Sequence, residues 1–394
     1  MQLTTLLLSL TALSSLALVQ AQTCTTDEDC SLNGICAPQT HSCLCDAGWF
    51  GSDCGHLDLA PATRWTGYNH TNYTDPTYYN TRGNSSWGGQ IIQDRGDPAL
   101  FHLLVDQFGH GCGLSAWRPT SFVARAESRT GPQGPYTWVQ NVTGSFRHNA
   151  YVHWYPAEEK YLLWTIGVDV ADPSSCKSVS KTSWPNNISV AAASSIQGPW
   201  SKFHITVNGT NPAPFPVLSA SSHQGSDAID SRIALAAEDL KIYVADRWDA
   251  AYKLVHTTPP WNTSDYSPTW TEDPFVWQDK RGHWHALAHW MIDIVEKKGT
   301  KYPRVGAHMF ARTLQGRWNF KLHEAFNSTV AFTDGSVQTF NRRERPKVFF
   351  SEDGEMTPLY LVTGVQPLGT TALSYTLIQP IGSAWKEYEK RLGF

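Results

Sequence analysis

The sequence predicts an all-β chain, a five-bladed β-propeller with a small disulfide-rich module at its N-terminus, and three observations carry that reading. All but Cys112 and Cys176 of the 8 cysteines crowd between Cys24 and Cys54. Strand-like segments then recur about every 45–60 residues, the interval of a four-stranded blade. Each recurrence opens on a short polar or small-residue start and passes into an apolar, aromatic strand.

The first element is a leader. Met1 to Ala21 holds an apolar stretch, Leu6 to Val19, and ends in Val19-Gln20-Ala21, small where signal peptidase cuts, although its positive end is weak. Residues 1–21 are therefore expected to be a signal peptide and the chain a secreted, extracellular one. No later stretch approaches about 18 uninterrupted apolar residues, so no membrane span is expected. Asn69, Asn72, Asn84, Asn141, Asn187, Asn208, Asn262 and Asn327 each stand in Asn-X-Ser/Thr, which fits a glycoprotein. The net charge of -4 is spread without long like-charge runs, which argues against nucleic acid as a partner.

Residues 22–56 form the second element. So short a segment buries too little apolar surface to fold unaided, and disulfides at about 2–4 kcal/mol each would hold it. A metal site is disfavoured there by the absence of paired C-x-x-C ligands. Spacing alone leaves the pairing open. The run Cys43-Leu44-Cys45-Asp46-Ala47-Gly48-Trp49-Phe50-Gly51-Ser52-Asp53-Cys54 resembles the closing pattern of EGF-like modules. That resemblance implies the pairs Cys24–Cys36, Cys30–Cys43 and Cys45–Cys54, and a surface for protein contact. Asp27-Glu28-Asp29 follows Cys24 rather than preceding it, and a solvated loop is expected there, not a calcium site. Cys112 and Cys176 either bridge each other, as an oxidising compartment favours, or stay as buried thiols.

Residues 57–86, with Pro61, are read as a linker leading into the propeller, and residues 87–380 as the propeller itself. Its five starts align as Trp87-Gly88-Gly89-Gln90, His148-Asn149-Ala150, Asn211-Pro212-Ala213-Pro214, Glu272-Asp273-Pro274 and Arg343-Glu344-Arg345-Pro346. Second strands follow at Leu100–Val105, Tyr161–Thr165, Trp284–Ala288 and Leu359–Val362, and third strands at Ser121–Ala126, Ile188–Ala193 and Arg304–Ala311. Gly134-Pro135-Tyr136, Gly198-Pro199-Trp200 and Gly316-Arg317-Trp318 punctuate the blades, Gly reversing the backbone and the ring filling the wedge between sheets. A sandwich or jelly roll also has many short strands, but the long unit with repeated corner chemistry favours the propeller. Residues 381–394 form a tail with a helical pattern from Ala384 to Arg391.

The chain holds no H-E-x-x-H, G-x-S-x-G, P-loop or G-x-G-x-x-G, so metalloprotease, serine-hydrolase and nucleotide-dependent chemistry find no support, and no cofactor or metal is assigned. What remains is a set of acids at blade starts. Innermost propeller strands run beside the central channel, so Glu272, Asp273 and Glu344 are the catalytic candidates, and Asp106 closes a second strand where it leans toward the same space. Two carboxyls in one pocket push their pKa values apart, the condition for an acid working beside a base. The competing readings are structural: an acid before Pro bonding backbone amides for Asp273, and an ion-pair network with Arg343 and Arg345 for Glu344. Trp87, Trp117 and Trp290 are candidates for stacking on sugar faces among 17 tryptophans that mostly pack between sheets. His148, His289 and Arg345 complete the candidate binding set, each histidine also readable as an ordinary core residue, as is His308.

Gly113-Leu114-Ser115-Ala116-Trp117, His148-Asn149, Asn211-Pro212, Glu272 to Trp277 and Arg343-Glu344-Arg345-Pro346 together resemble glycoside hydrolase family 43, over about three-quarters of the chain. The resemblance implies a five-bladed propeller and a carbohydrate substrate. That family carries a base Asp, a modulating Asp and an acid Glu in its first three blades, where this chain has Trp87-Gly88-Gly89, His148-Asn149 and Asn211-Pro212. The acids have therefore moved to blades four and five, or catalysis is lost. The first case is a glycosidase acting on pentose- or furanose-containing polysaccharide or glycan, with Asp273 as base, Glu344 as acid, and Glu272, Asp106 and Arg345 tuning or positioning. The second is a glycan-binding or adhesion protein on a degenerate propeller.

Overall fold

The computed structural model describes residues 23–68, 85–170, 175–177, 185–216, 232–261, 266–294, 306–369 and 373–394, without the side chains of 216, 266–270 and 290–294. The leader, Asn69, Asn72, Asn84, Asn262 and the Trp290 side chain lie outside the described residues.

The N-terminal module is two small antiparallel sheets. β1 (Gly34–Ala37) pairs with β2 (Ser42–Cys45), and β3 (Trp49–Phe50) with β4 (His56–Leu57). Disulfides Cys24–Cys36, Cys30–Cys43 and Cys45–Cys54 hold it, the pairing implied by its closing motif. The acids of the Asp27-Glu28-Asp29 loop are spoken for: the Asp29 carboxylate accepts from the Thr25 and Thr26 amides, the Asp27 carboxylate from the Cys36 amide, and Glu28 pairs with Arg312. The module is docked rather than tethered. Arg281 pairs with Asp46 and donates to the Leu32 carbonyl at 2.7 Å, and the Trp49 ring lies 4.8 Å from that of His308.

Five four-stranded antiparallel sheets follow. Blade one is β5 (Ser86–Gln93), β6 (Phe101–Phe108), β7 (Ser121–Ser128) and β8 (Thr137–Asn141). Blade two is β9 (Arg147–Tyr155), β10 (Lys160–Gly167), β11 (Ile188–Ala193) and β12 (His204–Val207). Blade three is β13 (Ala213–Pro216), β14 (Ile233–Ala237), β15 (Lys241–Ala245) and β16 (Lys253–His256). Blade four is β17 (Tyr266–Gln278), β18 (Trp284–Ile294), β19 (Gly306–Ala311) and β20 (Asn319–Phe320). Blade five is β21 (Thr329–Ala331), β22 (Val337–Phe350), β23 (Pro358–Pro367) and β24 (Tyr375–Pro380).

The second strands are covered on both faces by neighbouring blades, which explains why β6 and β23 are buried along their whole length and β10 after its first residue, each around an apolar centre. Tyr136 and Trp318 from the glycine-aromatic corners are buried between sheets. Burying such a ring stabilises by roughly 1.5–3 kcal/mol, so these corners hold adjacent blades together. Asn141, Asn208 and Asn327 are exposed, as sequon asparagines must be to carry a glycan. The tail forms the helix Ala384–Leu392.

The stretch read as a linker is partly built into the ring. Tyr68 and Thr376 exchange backbone hydrogen bonds at 3.1 Å, the Ala60 amide donates to the Pro380 carbonyl at 2.9 Å, and the Ala62 amide to the Ala331 carbonyl at 2.9 Å. The segment leaving the module therefore covers the open edge of β24, satisfying an edge that would otherwise be free to pair with another chain.

Candidate active site in the propeller channel

Every blade starts with the same backbone device. Gly88, Asn149, Asn211, Asp273 and Arg345 all adopt left-handed conformations, with φ of 67°, 61°, 58°, 54° and 58°. In blades one, two, four and five the pairing of the first two strands slips at that point. This is a bulge, and a bulge re-aims side chains at the end of a strand. Asn and Asp tolerate the left-handed region; for Arg345 it costs on the order of 1–3 kcal/mol, which its contacts must offset.

The result is two rings of side chains. Residues just before each corner, Trp87, His148, Thr210, Glu272 and Glu344, line a cavity of about 580 Å³ at the mouth of the channel. The corner residues close its floor. The Asn149 side-chain amide donates to Asn211 Oδ1 at 2.7 Å and to Asp273 Oδ1 at 3.3 Å. Arg345 Nε lies 3.4 Å from Asp273 Oδ1, and its Nη1 donates to Asp106 Oδ2 at 2.8 Å. A Cβ at Gly88 would sit 3.0 Å from the Arg345 Cβ, so glycine there leaves room for the arginine to cross.

Asp106 is buried beneath this floor. Its carboxylate accepts from the backbone amides of Asn149 and Ala150 at 2.8 and 3.1 Å. Burial raises its pKa, with Arg345 and Lys347 opposing. Its contacts are those of a positioning residue that fixes blade two to blade five. Asp273 is also raised, first by burial, against Arg345 and with the repulsion of Glu272. His289 lies behind the wall with Nδ1 3.6 Å from Glu272 and Nε2 3.6 Å from Glu344. Burial opposes its charge, but Glu344 and Glu272 outweigh that and raise its pKa. Glu272, Asp273 and His289 each offer a donor atom within 4.8 Å of the others, a set at this wall that is able to hold a metal ion.

The wall on the blade-one side comes from the connection after β6. Trp117 stacks on His148 with ring centroids 4.6 Å apart, and Arg118 lies over the Trp117 ring and bonds to Asn186. Cys112–Cys176 are bridged, pinning this connection to the one between β10 and β11. Burial, then Arg345 and Arg118, push the His148 pKa well down, so the imidazole is neutral and its Nδ1 shares a proton with Ser121 Oγ at 2.6 Å.

Sequence reasoning missed Glu238. It stands in a 3₁₀ turn, Glu238–Leu240, between β14 and β15, and lines the same cavity as the blade-start acids. Burial, then the nearby Glu272, Asp239 and Asp273, push its pKa up to about 7. The only available signal was position: connections between second and third strands open on the same mouth as blade starts. The arginine recorded beside Glu344 is Arg342. Arg343 turns away, donating to Gln379 Oε1 at 2.7 Å and to the Asn327 carbonyl at 3.0 Å, while Arg342 Nη1 lies 3.6 Å from Glu344. Of the other candidates, Trp87, Trp117, His148 and Arg345 do line the cavity, whereas Asp106 and His289 stand behind its surface.

No family model matches the sequence, and no curated protein does. Solved structures of similar fold include the exo-β-1,3-galactanase of Phanerochaete chrysosporium, at 11% identity and TM-score 0.47 over 83% of this chain. The chain spans 64% of that galactanase. A GH62 α-L-arabinofuranosidase catalytic domain from Coprinopsis cinerea gives 10% identity and TM-score 0.47, covering 82% of this chain and 98% of the other. An endo-1,4-β-xylanase from Bacteroides thetaiotaomicron gives 11% and 0.48, covering 76% and 91%.

Proposed function

We propose that this protein is a secreted glycosidase whose acid is Glu238 and whose base is Glu344, with pentose- or furanose-containing glycans as the substrate class. The observation that carries it is Glu238, a carboxyl held protonated up to about pH 7 in the same cavity as Glu272, Asp273 and Glu344. A carboxyl that keeps its proton near neutral pH is able to serve as a general acid. Glu238 donates its proton to the glycosidic oxygen as that oxygen leaves the anomeric carbon. Glu344 takes a proton from the water whose oxygen bonds to the same carbon, and two shorter sugars result.

This reading moves the acid from Glu344, where the sequence placed it, to Glu238, and makes Asp273 a positioning residue. Asp273 is committed to Asn149 and Arg345, and its repulsion helps keep Glu238 protonated. Trp117 offers a ring for the apolar face of a sugar, whereas Trp87 is buried and packs beneath the surface, and Arg342, Asn341 and Gln366 offer polar groups at the rim.

A second reading, glycan binding without hydrolysis, is favoured by the neutral corners Gly88, Asn149 and Asn211. A release assay over plant, fungal and bacterial polysaccharides separates the two, with Glu238→Gln, Glu344→Gln and Asp273→Asn beside the wild type. Release abolished by the first two substitutions supports the assignment. Release that survives both sinks it, and retention on a polysaccharide without release supports the binding protein.

A further inference from the structure

We propose that Asp53, His56 and His323 form a binding site for a divalent transition-metal ion of the zinc type, clamping the N-terminal module to blade four. Asp53 and His56 belong to the module, at its last disulfide and in β4, and His323 to the connection between β20 and β21.

The ring tautomers follow from the backbone. His56 Nδ1 lies 2.6 Å from the Glu324 carbonyl and His323 Nε2 lies 3.1 Å from the Gly55 carbonyl. A carbonyl only accepts, so each of these nitrogens carries a hydrogen. The opposite nitrogens, His56 Nε2 and His323 Nδ1, are left with lone pairs. His323 Nδ1 stands 3.5 Å from Asp53 Oδ2, the two rings are 4.8 Å apart, and one donor atom from each of the three residues lies within 4.8 Å of the others.

Two imidazole nitrogens and a carboxylate oxygen are the donor set of a three-ligand zinc site that keeps a water in its fourth position. Ligand bonds of about 2.0–2.2 Å in a tetrahedron put neighbouring donors roughly 3.3 Å apart, so the Asp53–His323 edge already has the right length. Metal-binding histidines characteristically donate their second ring N–H to a carbonyl or carboxylate, and both histidines here do so. The Asp53 and His323 side chains are 11% and 19% exposed, which leaves a path for the ion and its water. Lys321 Nζ, 3.3 Å from Asp53 Oδ2, occupies the carboxylate without metal, and it is also held by the Asp29 carbonyl at 2.5 Å. The ion therefore displaces one ammonium contact on binding.

The test strips the full-length protein with a chelator and titrates it with cobalt(II), reading the visible absorption of the bound ion, then displaces the cobalt with zinc. The expected result is a single cobalt per chain with the bands of a four- or five-coordinate site. Removing one ligand should weaken binding by about 100-fold or more, because one of three protein donors is lost, in both His323→Gln and His56→Gln. Lys321→Gln should tighten it, since the competing ammonium is gone, a change a purely structural role would not produce. His289→Gln should leave cobalt affinity unchanged. His56 is partly exposed, so His56→Gln keeps the test open should His323→Gln fail to fold. No cobalt bound at micromolar concentration, or binding lost in His289→Gln and kept in His56→Gln, overturns the proposal.

Discussion

At the left-handed corner of the innermost strand, blades one to three carry Gly88, Asn149 and Asn211, whereas blades four and five carry Asp273 and Arg345. The backbone is five-fold; the charge is not. Asn149 supplies a fork of donors toward the acidic side, and Gly88 supplies empty space that Arg345 fills. The neutral half thus acts as a frame for a charged half in which Arg345 spans Asp273 and, reaching into blade one, Asp106. The pocket chemistry is then left to groups one step off the ring, Glu272 and Glu344 just before the corners, and Glu238 in a turn.

The sharpest way to break that division is to remove the groups off the ring. Under the proposed mechanism Glu238→Gln or Glu344→Gln should lower kcat by about 10²–10⁴-fold with little change in melting temperature, measured as sugar release and by calorimetry. Arg345→Met should do the reverse. It strands two buried carboxylates, a cost of about 3–5 kcal/mol that urea unfolding would register, and a loss under about 1 kcal/mol would show that the ring is not charge-compensated. Asn149→Asp puts a carboxylate beside Asp273 and removes a donor from Asn211, with an expected loss of about 1–3 kcal/mol in the same measurement. Smaller still, Gly88→Ala sets a Cβ in a left-handed position against Arg345, for about 1–2 kcal/mol.

A pH dependence separates the two halves again. The Glu238 pKa is raised from 4.5 to about 7, so the folded chain keeps a proton that the unfolded chain releases. Stability from this group is full below about pH 4.5, declines as pH rises and is gone above about 7. Glu238→Gln should flatten that slope in melting temperature against pH, and the activity of the wild type should fall as pH passes about 7.

The parts legible in the sequence are those written as repeats. Polar blade starts preceding aromatic strands placed Asp273, Glu344 and Arg345 at the channel, and the cysteine motif gave the module its bridges. Glu238 was not legible because its blade is built from short strands, Ile233–Ala237 and Lys241–Ala245, with no glycine to mark the turn between them. Arg343 was misplaced because the strand places it on the face opposite its neighbours, where Gln379 and Asn327 receive it. Asp106 and His289 were placed near the pocket, yet only three-dimensional packing shows that they touch it through other residues.

The segment that leaves the module and lies along β24 gives the protein a definite mechanical direction. A pull on the N-terminus is borne first by the docked module and then by the backbone hydrogen bonds of Ala60, Ala62 and Tyr68 with the last blade. Tension along that segment loads those bonds together, in shear, while the disulfides keep the module from paying out as slack chain. Force applied there is delivered to the joint where the ring was closed, and blade five, which bears Glu344 and Arg345, is the first to feel it.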